Sequence, residues 1–144
     1  YFTEDSVLED TDFFADVTVL SARLDSDSAH YTLRINSLVS KTGEESETNI
    51  TIESSTPYIM QENREYFIPL REENGTYSMV FENAPQIEIS LDGDIVFQNG
   101  WKSLDDDSGI LKDSQKSKND YFYDRMRYSS KNDLQDLLAK WRTM

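Results

Sequence analysis

The sequence predicts a mainly β domain, a small antiparallel barrel or sandwich, that carries one amphipathic helix at its C-terminus. Seven short segments before residue 100 alternate apolar and polar residues, which is the pattern of half-buried strands. Asn74-Gly75 and Asp92-Gly93 each separate two such segments, and these residues tolerate the positive φ angles of hairpin turns. Short strands divided by turns are typical of antiparallel barrels and sandwiches.

The first half of the chain contains an acidic start and three predicted strands. Residues 1–12 indicate either an arm or a short first helix. Two long strands follow in "ADVTVLSARL" and "YTLRINSLVS", and in the second Tyr31, Leu33 and Ile35 alternate with polar residues. "KTGEESE" is predicted as a solvated loop, and "TNITIES" as the next strand.

The second half contains four predicted strands and the helix. The strands are "YFIPL", "TYSMVF", "QIEIS" and "DIVFQ", and Pro69 assigns the first to a sheet edge or a bulge because proline lacks an N–H donor. In "SKNDLQDLLAKWR", Ser130 and Asp133 have the spacing of a capping box. The apolar residues that follow share one helical face: Leu134, Leu137, Leu138 and Trp141.

These segments predict one domain in three parts. Residues 1–12 form an acidic N-terminal arm, residues 13–104 the antiparallel β domain, and residues 105–144 a polar linker with a helical tail packed on that domain. A chain of 144 residues can bury a core without covalent staples.

The charge excludes several classes of partner. The net charge is −14, made up of −15 in residues 1–100 and +1 in residues 101–144. Nucleic acids and anionic membranes attract clustered Lys and Arg, so the chain is predicted to bind neither. No apolar run has membrane-spanning length, which predicts no membrane insertion. An acidic body favours another protein with a basic surface as the partner.

The residue types present give no motif for a cofactor or a metal. The chain has no cysteine, which excludes disulfides, thiolate catalysis, zinc fingers and iron–sulfur sites. Its five glycines form no phosphate-binding loop. In Asp105-Asp106-Asp107-Ser108-Gly109, placing the glycine at the sixth position of an EF-hand loop leaves Leu104 and Gln115 where ligands belong. We therefore predict no cofactor and no metal site.

Three segments resemble the netrin-like module, the oligonucleotide-binding (OB)-type barrel of tissue inhibitors of metalloproteinases and of agrin's N-terminal domain. They are "ADVTVLSARL…HYTLRINSLVSKTG", the hairpin "NREYFIPLREENGTYSMVF", and "NGWKSL", which is similar to the Trp-x-x-Leu that closes the barrel. The resemblance implies an OB-like barrel over residues 13–104 followed by helices. Family inhibitors ligate the protease zinc through an N-terminal cysteine; position 1 is Tyr here, so that mechanism does not transfer.

Two kinds of side chain are candidates for chemistry or modification. His30 is the only histidine and would have to serve any Ser-His-Asp site, with Ser28 and Asp27 nearby, but no G-x-S-x-G motif accompanies it, which favours a turn histidine. Asn49-Ile50-Thr51 and Asn74-Gly75-Thr76 are possible glycan acceptors. Glycosylation at Asn74 or Asn49 would make the chain a secreted glycoprotein.

Residues 120–128, "DYFYDRMRY", have the composition of an interface hot spot. Their aromatic and basic residues either pack the tail on the barrel or contact a partner: Tyr121, Phe122, Tyr123, Arg125, Met126, Arg127 and Tyr128.

We expect a non-catalytic protein–protein binding module, secreted or extracellular, with a cytoplasmic location as the alternative. The tail aromatics or the Leu/Trp face of the helix would supply the buried contact area. One rival hypothesis is an inhibitor or effector that occludes a partner's active site with its acidic arm. Another is a carboxylate-dependent hydrolase, since the carboxylates are too numerous for the sequence to exclude an acid/base pair.

Overall fold

The computed structural model describes residues 4–25, 28–54, 60–80, 86–96 and 130–144. These residues form two α-helices and eight strands, and a 3-10 turn at Lys131–Asp133 leads into the second helix. The helices are α1 (Glu4–Asp10) and α2 (Leu134–Arg142), and the strands are β1 (Phe13–Leu24), β2 (Ala29–Ser40), β3 (Glu44–Glu45), β4 (Asn49–Ser54), β5 (Glu65–Glu73), β6 (Thr76–Met79), β7 (Ile87–Ile89) and β8 (Ile95–Val96).

The sheet is antiparallel and has three long central strands in the order β2, β1, β5. Two short strands line each outer side, because β3 and β4 both pair with β2, while β6 and β7 both pair with β5. The mainly β class and the C-terminal helix are therefore confirmed. The sheet curls until β4 and β6 lie near each other, but it is not closed into a barrel.

Bulges and turns shape this sheet. Two irregularities in the pairing of β1 with β2, at Asp16/Val17 and at Val19/Ser21, provide the local bends that a strongly curled strand needs. The β5–β6 hairpin turns on Asn74 (φ 53°) and Gly75 (φ 81°), as predicted for a two-residue turn. The β7–β8 hairpin differs from the prediction, since Ser90 N–H donates to Asp94 O at 2.9 Å around a three-residue loop.

Strand β5 is central, although Pro69 predicted an edge or a bulge. The ladder with β7 ends at Phe67 and the ladder with β6 begins at Leu70, so Pro69 lies between them. The Pro69 carbonyl accepts from Val80 N–H at 3.1 Å on that side. The nitrogen and the carbonyl of a strand residue point to the same side of the strand. The nitrogen of Pro69 therefore points to the side of β5 where neither described ladder, with β6 or with β7, includes Pro69, so the lack of an N–H removes no hydrogen bond from either ladder.

Each face of the sheet covers its own core. On the concave face, side chains of the curled strands pack on one another, with Tyr31 and Tyr66 the largest. On the opposite face, both helices pack on the sheet. The members of this second core are Val7, Leu8, Phe14, Val39, Phe67, Ile87, Ile89, Leu134, Leu137, Leu138 and Trp141.

Helix α1 changes the picture of residues 1–12 as an arm. Its Val7 and Leu8 are fully buried, and Thr11 accepts a hydrogen bond from Trp141 Nε1 through its carbonyl at 3.2 Å. The Trp141 ring also lies edge-on against Phe14, with centroids 5.0 Å apart. The two ends of the chain thus meet over one core.

Helix α2 has the predicted start and the predicted buried face. The capping box forms, with Ser130 N–H donating to Asp133 Oδ2 at 3.0 Å. Because Leu137 and Trp141 are buried against the protein's own sheet, the apolar face of this helix cannot supply the partner contact that the sequence had suggested. Among the described residues, neither helix is long and apolar enough to cross a membrane. Strand β3 forms where the sequence indicated only a loop.

Candidate functional site

Tyr77 of β6 lies at the edge of the core on the concave face, next to the ring of Phe13 and near exposed carboxylates. It lies opposite Glu72 in the β5–β6 ladder. Its ring meets Phe13 of β1 edge-on, with centroids 5.8 Å apart and an interplanar angle of 72°. Both rings pack on the edge of the concave core and stay partly exposed. An amphipathic ring in such a position can contact a partner without unfolding the core.

Three exposed carboxylates are close enough to Tyr77 for their charges to act on it, and we call this group the acidic rim: Glu45, Glu47 and Glu72. Burial is the largest cause that raises the pKa of Tyr77, and the charges of the three carboxylates raise it further. No Lys or Arg of the described residues forms an ion pair with any member of the rim. Within the described ranges, the rim therefore presents negative charge without a paired cation.

Most basic side chains of the described residues form ion pairs or hydrogen bonds with other groups of the protein. Arg64 pairs with Glu88 at 3.2 Å, and Lys140 pairs with Asp5 at 2.8 Å. Arg142 donates to the carbonyl of Ser40 at 3.2 Å. Twenty acidic and only eight basic side chains occur in the described part of the chain. The charge imbalance consequently falls on carboxylates at the surface.

A groove of about 520 Å³ extends from Tyr77 across four strands. Its lining residues are Ser21 and Arg23 of β1, His30, Tyr31 and Thr32 of β2, Thr51, Ile52 and Glu53 of β4, and Thr76 and Tyr77 of β6. Tyr77 lines this groove and is also the ring on which the charges of the acidic rim act.

A second polar cluster lies at the start of α2 and joins the helix to the sheet. Lys131 Nζ contacts Asp16 Oδ2 at 2.8 Å and Glu65 Oε2 at 2.9 Å. Asn36 Nδ2 donates to Asp16 Oδ1 at 3.2 Å. The side chain of Asp16 is only 7% exposed, whereas that of Lys131 is half exposed. The Lys131 ammonium therefore pairs with two carboxylates, one from β1 and one from the neighbouring strand β5.

The protonation states of Lys131 and Glu65 determine how this cluster holds α2 on the sheet. The hydrogen bonds that Lys131 donates to the carboxylates of Asp16 and Glu65 raise the pKa of Lys131, so its amine stays charged and is a poor nucleophile. Burial, followed by the hydrogen bond and charge of Asp16, raises the pKa of Glu65 and outweighs the lowering effect of Lys131. The cluster is thus an ion-paired anchor for α2 in which Glu65 takes up a proton more readily than an ordinary carboxylate.

His30 is the second residue of β2, directly after the β1–β2 turn, and does not form a catalytic triad with its described neighbours. Its Nε2 is 2.7 Å from Asp25 Oδ2 and 3.3 Å from Ser28 Oγ, so both partners compete for one nitrogen. A triad needs the nucleophile and the acid on different nitrogens. Its Nδ1 faces Glu53 at 3.9 Å. The prediction of a turn histidine is therefore off by a short distance, since His30 already belongs to the strand, but its side chain contacts the turn residues Asp25 and Ser28.

Both possible glycan acceptors are exposed. Asn49 begins β4 with its side chain outward, and Asn74 lies at the tip of the β5–β6 hairpin. Glycosylation at either position stays a prediction. Asp27, the acidic run at 105–109, the segment "NGWKSL" and the predicted partner-binding residues 120–128 lie outside the described residues.

Sequence reasoning missed the rim and the Lys131 cluster because each joins residues from distant parts of the chain. Glu45 and Tyr77 are 32 positions apart, and Asp16 and Lys131 are 115 apart. A usable signal existed for Tyr77, since the alternation in "TYSMVF" places it on the same face as Met79, which is buried in the concave core.

No family model matches the chain, and no curated protein gives a significant match to it. Within the described ranges, no three His, Asp or Glu side chains converge as a metal site requires.

Proposed function

We propose that the protein is a non-catalytic binding module that recognises a basic surface of another protein through the acidic rim. The observation that carries this proposal is the contrast between the rim and the rest of the molecule. Glu45, Glu47 and Glu72 are exposed and act electrostatically on a partly buried tyrosine, while Arg64 and Lys140 are paired with the protein's own carboxylates. Since no cation of the described residues pairs with the rim, its charge can act on a partner.

The rim has the parts that recognition of Lys or Arg requires. Its carboxylates attract a cation over about 8–10 Å at physiological salt, which speeds encounter with a basic partner. The face of Tyr77 or Phe13 can then contact the cation, an interaction worth about 0.5–2 kcal/mol. Such a site gives specificity and a fast association rate more than tight affinity.

Residues 120–128 supply a second contact in this proposal. The support is the placement of the two described ends around residues 97–129: Asp94 forms a β-bridge with Ser130, and Lys131 N–H donates to Gly93 O at 2.7 Å. The described residues that follow this segment are therefore held on the β7–β8 hairpin. Both described cores are also densely lined with apolar side chains of their own.

We further propose a secreted or extracellular setting, supported by the exposure of Asn74 and Asn49. The intact mass of the protein from its natural source tests this. A mass above 16.7 kDa by hexose-type increments that map to either asparagine supports the proposal, and an unmodified mass contradicts glycosylation.

Matched charge reversals test the binding proposal. One variant carries Glu45→Lys, Glu47→Lys and Glu72→Lys. The control carries three lysines at exposed carboxylates away from Tyr77: Glu9, Asp92 and Asp136. Both variants have the same net charge, so only the position of the charge differs. Circular dichroism checks that both are folded.

The probe is a fluorescent peptide of about ten alternating lysine and valine residues, titrated by anisotropy at about 50 and 300 mM salt. We expect the rim variant to lose at least about tenfold in affinity relative to the control, and the wild-type affinity to fall with salt. Equal losses in both variants, or binding that salt does not change, contradict the proposal.

A further inference from the structure

Two of the three carboxylates of the acidic rim belong to a short part of the sheet. Glu45 lies in β3, a strand of two residues, and Glu47 follows it in the connection to β4. The ladder between β2 and β3 consists of Leu38 with Glu45 and Val39 with Glu44. Because so short a ladder is stabilised little by its own hydrogen bonds, the position of β3 depends on how its two ends are held.

The turn between β2 and β3 lacks the backbone geometry that favours a two-residue hairpin. Lys41 and Thr42 form its loop, and neither has the positive φ angle that the favoured turn types require. A hydrogen-bonded pair in an antiparallel ladder ordinarily exchanges two backbone hydrogen bonds. Here Ser40 N–H donates to Gly43 O at 2.8 Å, but Gly43 N–H donates to the side-chain Oγ of Ser40 at 3.1 Å. The Ser40 carbonyl is therefore left to another donor.

Arg142, the last residue of α2, supplies that donor. Its Nε and Nη2 donate to Ser40 O at 3.3 and 3.2 Å, and Nη2 also donates to Gly43 O at 3.4 Å. A guanidinium presents several donors in a fixed planar fork, so one side chain can hold both carbonyls. The turn is thereby joined to a helix that is itself fixed by the burial of Leu137 and Trp141.

The other end of the same segment is held by the sheet. Ile35 N–H of β2 donates to Thr48 O at 2.8 Å. Residues 44–47, which include both carboxylates, therefore run between this hydrogen bond and the turn that Arg142 contacts. Without the guanidinium, the turn end of the segment would be the less restrained of the two.

We infer that Arg142 is a positioning residue for the acidic rim: it holds the β2–β3 hairpin in the conformation that brings Glu45 and Glu47 close to Tyr77. The inference rests on the proposed function, because the rim is the surface that Arg142 positions. It adds that docking of α2 and recognition of a basic partner are coupled. The apparent affinity for a partner falls with the fraction of molecules in which the binding site is assembled.

Arg142→Gln and its matched control Lys140→Gln test this inference. Each variant removes one positive charge from the last turn of α2, where Lys140 pairs with Asp5 of α1. Charge alone predicts that both bind the lysine–valine peptide at least as well as the wild type, since the protein becomes more acidic. In the anisotropy assay at about 50 mM salt, we expect Arg142→Gln instead to bind at least about fivefold more weakly than Lys140→Gln.

Amide hydrogen exchange distinguishes release of the hairpin from unfolding of the protein. The Ser40 amide, which closes the hairpin, is expected to exchange faster in Arg142→Gln than in the control. The Val19 amide, which donates to Arg64 O at 3.0 Å elsewhere in the sheet, is expected to keep its protection in both variants.

A repaired turn gives a variant in which the hairpin no longer depends on α2. Lys41→Asn with Thr42→Gly introduces the residue pair that favours a type I′ turn, which closes a two-residue hairpin without an external donor. Added to Arg142→Gln, this pair is expected to restore most of the lost affinity. The same pair in the Lys140→Gln background gives the same net charge and is expected to raise the affinity less.

The outcomes distinguish the two levels of the account. If Arg142→Gln binds as well as Lys140→Gln, or if the turn pair raises affinity equally in both backgrounds, the positioning role is refuted while the acidic rim can still bind the peptide. Equal loss of protection at Ser40 and Val19 would assign the effect to the whole fold and would also refute it. If the wild type binds the peptide no better than one in which serine replaces lysine, the proposed function fails and the inference with it. Weaker binding by Arg142→Gln, with faster exchange at Ser40 alone and reversal by the turn pair, supports the inference.

Discussion

Neutralising each of the two carboxylates that share Lys131 is expected to change the stability of the protein by different amounts. Asp16→Asn removes the buried partner of the ammonium, while Glu65→Gln removes a charge that the folded state disfavours. Both changes are nearly isosteric, and both leave Lys131 one carboxylate. The pair of variants therefore tests the electrostatics of the anchor rather than its packing.

The magnitude follows from burial. Asp16 is 7% exposed at its side chain and accepts from Lys131 and from Asn36, so Asp16→Asn loses a charged hydrogen bond, which is worth about 2 kcal/mol. In a chain of this size that loss lowers Tm by about 4–8 °C. Glu65→Gln is expected to leave stability at pH 7 unchanged or slightly raised, because burial and Asp16 raise the pKa of Glu65.

The pH dependence has a definite sign. The folded protein holds the Glu65 proton at a pKa above that of the unfolded chain, about 4.3, so this group makes unfolding harder as the pH falls through the raised pKa. The contribution is complete below about pH 4.3 and lost above the raised value. Any advantage of Glu65→Gln at pH 7 should therefore shrink as the pH falls toward that value.

Urea unfolding of the wild type and the two variants between about pH 4 and 7 measures these differences. The reasoning is refuted if Glu65→Gln costs as much as Asp16→Asn at pH 7, or if the difference between Glu65→Gln and the wild type does not depend on pH.

Three further predictions concern packing, the hairpin and the rim. Leu137→Ala should cost about 2–5 kcal/mol in urea unfolding, against less than about 0.5 kcal/mol for the exposed Gln135→Ala, and similar costs would contradict docking of α2. Gly75→Ala, at φ +81°, should cost about 1 kcal/mol or more, whereas Gly43→Ala, with nothing within 4 Å of its added Cβ, should cost far less; equal costs would argue against the turn geometry. Replacing Glu45, Glu47 and Glu72 by Gln should lower the pKa of Tyr77 in an NMR titration, and an unchanged pKa would separate the carboxylates from the ring.

The structure also changes how the inhibitor hypothesis is to be tested. Deleting residues 1–12 would have identified an inhibitory arm, but Val7 and Leu8 belong to the core beneath both helices. The deletion is expected to destabilise the whole protein, so a loss of activity would not identify the arm. Replacing the exposed Glu9 on α1 instead removes acidic charge while it leaves the core intact.

The sequence predicts correctly those turns and helices that depend on residues close together in the chain. The Asn74-Gly75 turn follows from the φ angles those residues tolerate, and the Ser130/Asp133 capping box with its buried Leu and Trp face follows from helical spacing. The sequence of residues 1–12 is compatible with an arm or a short helix, because the seven residues of α1 are too few for helix propensity to decide. Its burial depends on Trp141, which lies at the other end of the chain.

The pattern of residues within one strand does not predict which other strands it pairs with. Pro69 indicated an edge or a bulge, yet it lies in the central strand β5, between the end of the ladder with β7 and the start of the ladder with β6. The acidic rim requires β3 and β6 to approach the same ring, and the alternation of each strand says nothing about the other. The candidate site therefore becomes visible only when the curl of the sheet is known.

An NMR titration of the isotope-labelled protein with the lysine–valine peptide locates the surface that binds the peptide. We expect the largest chemical-shift changes at Glu45, Glu47, Glu72 and Tyr77, and we expect these changes to diminish with added salt. Equal changes at the exposed carboxylates on the helices, far from Tyr77, would show that net charge alone attracts the peptide and would contradict a binding site at the acidic rim.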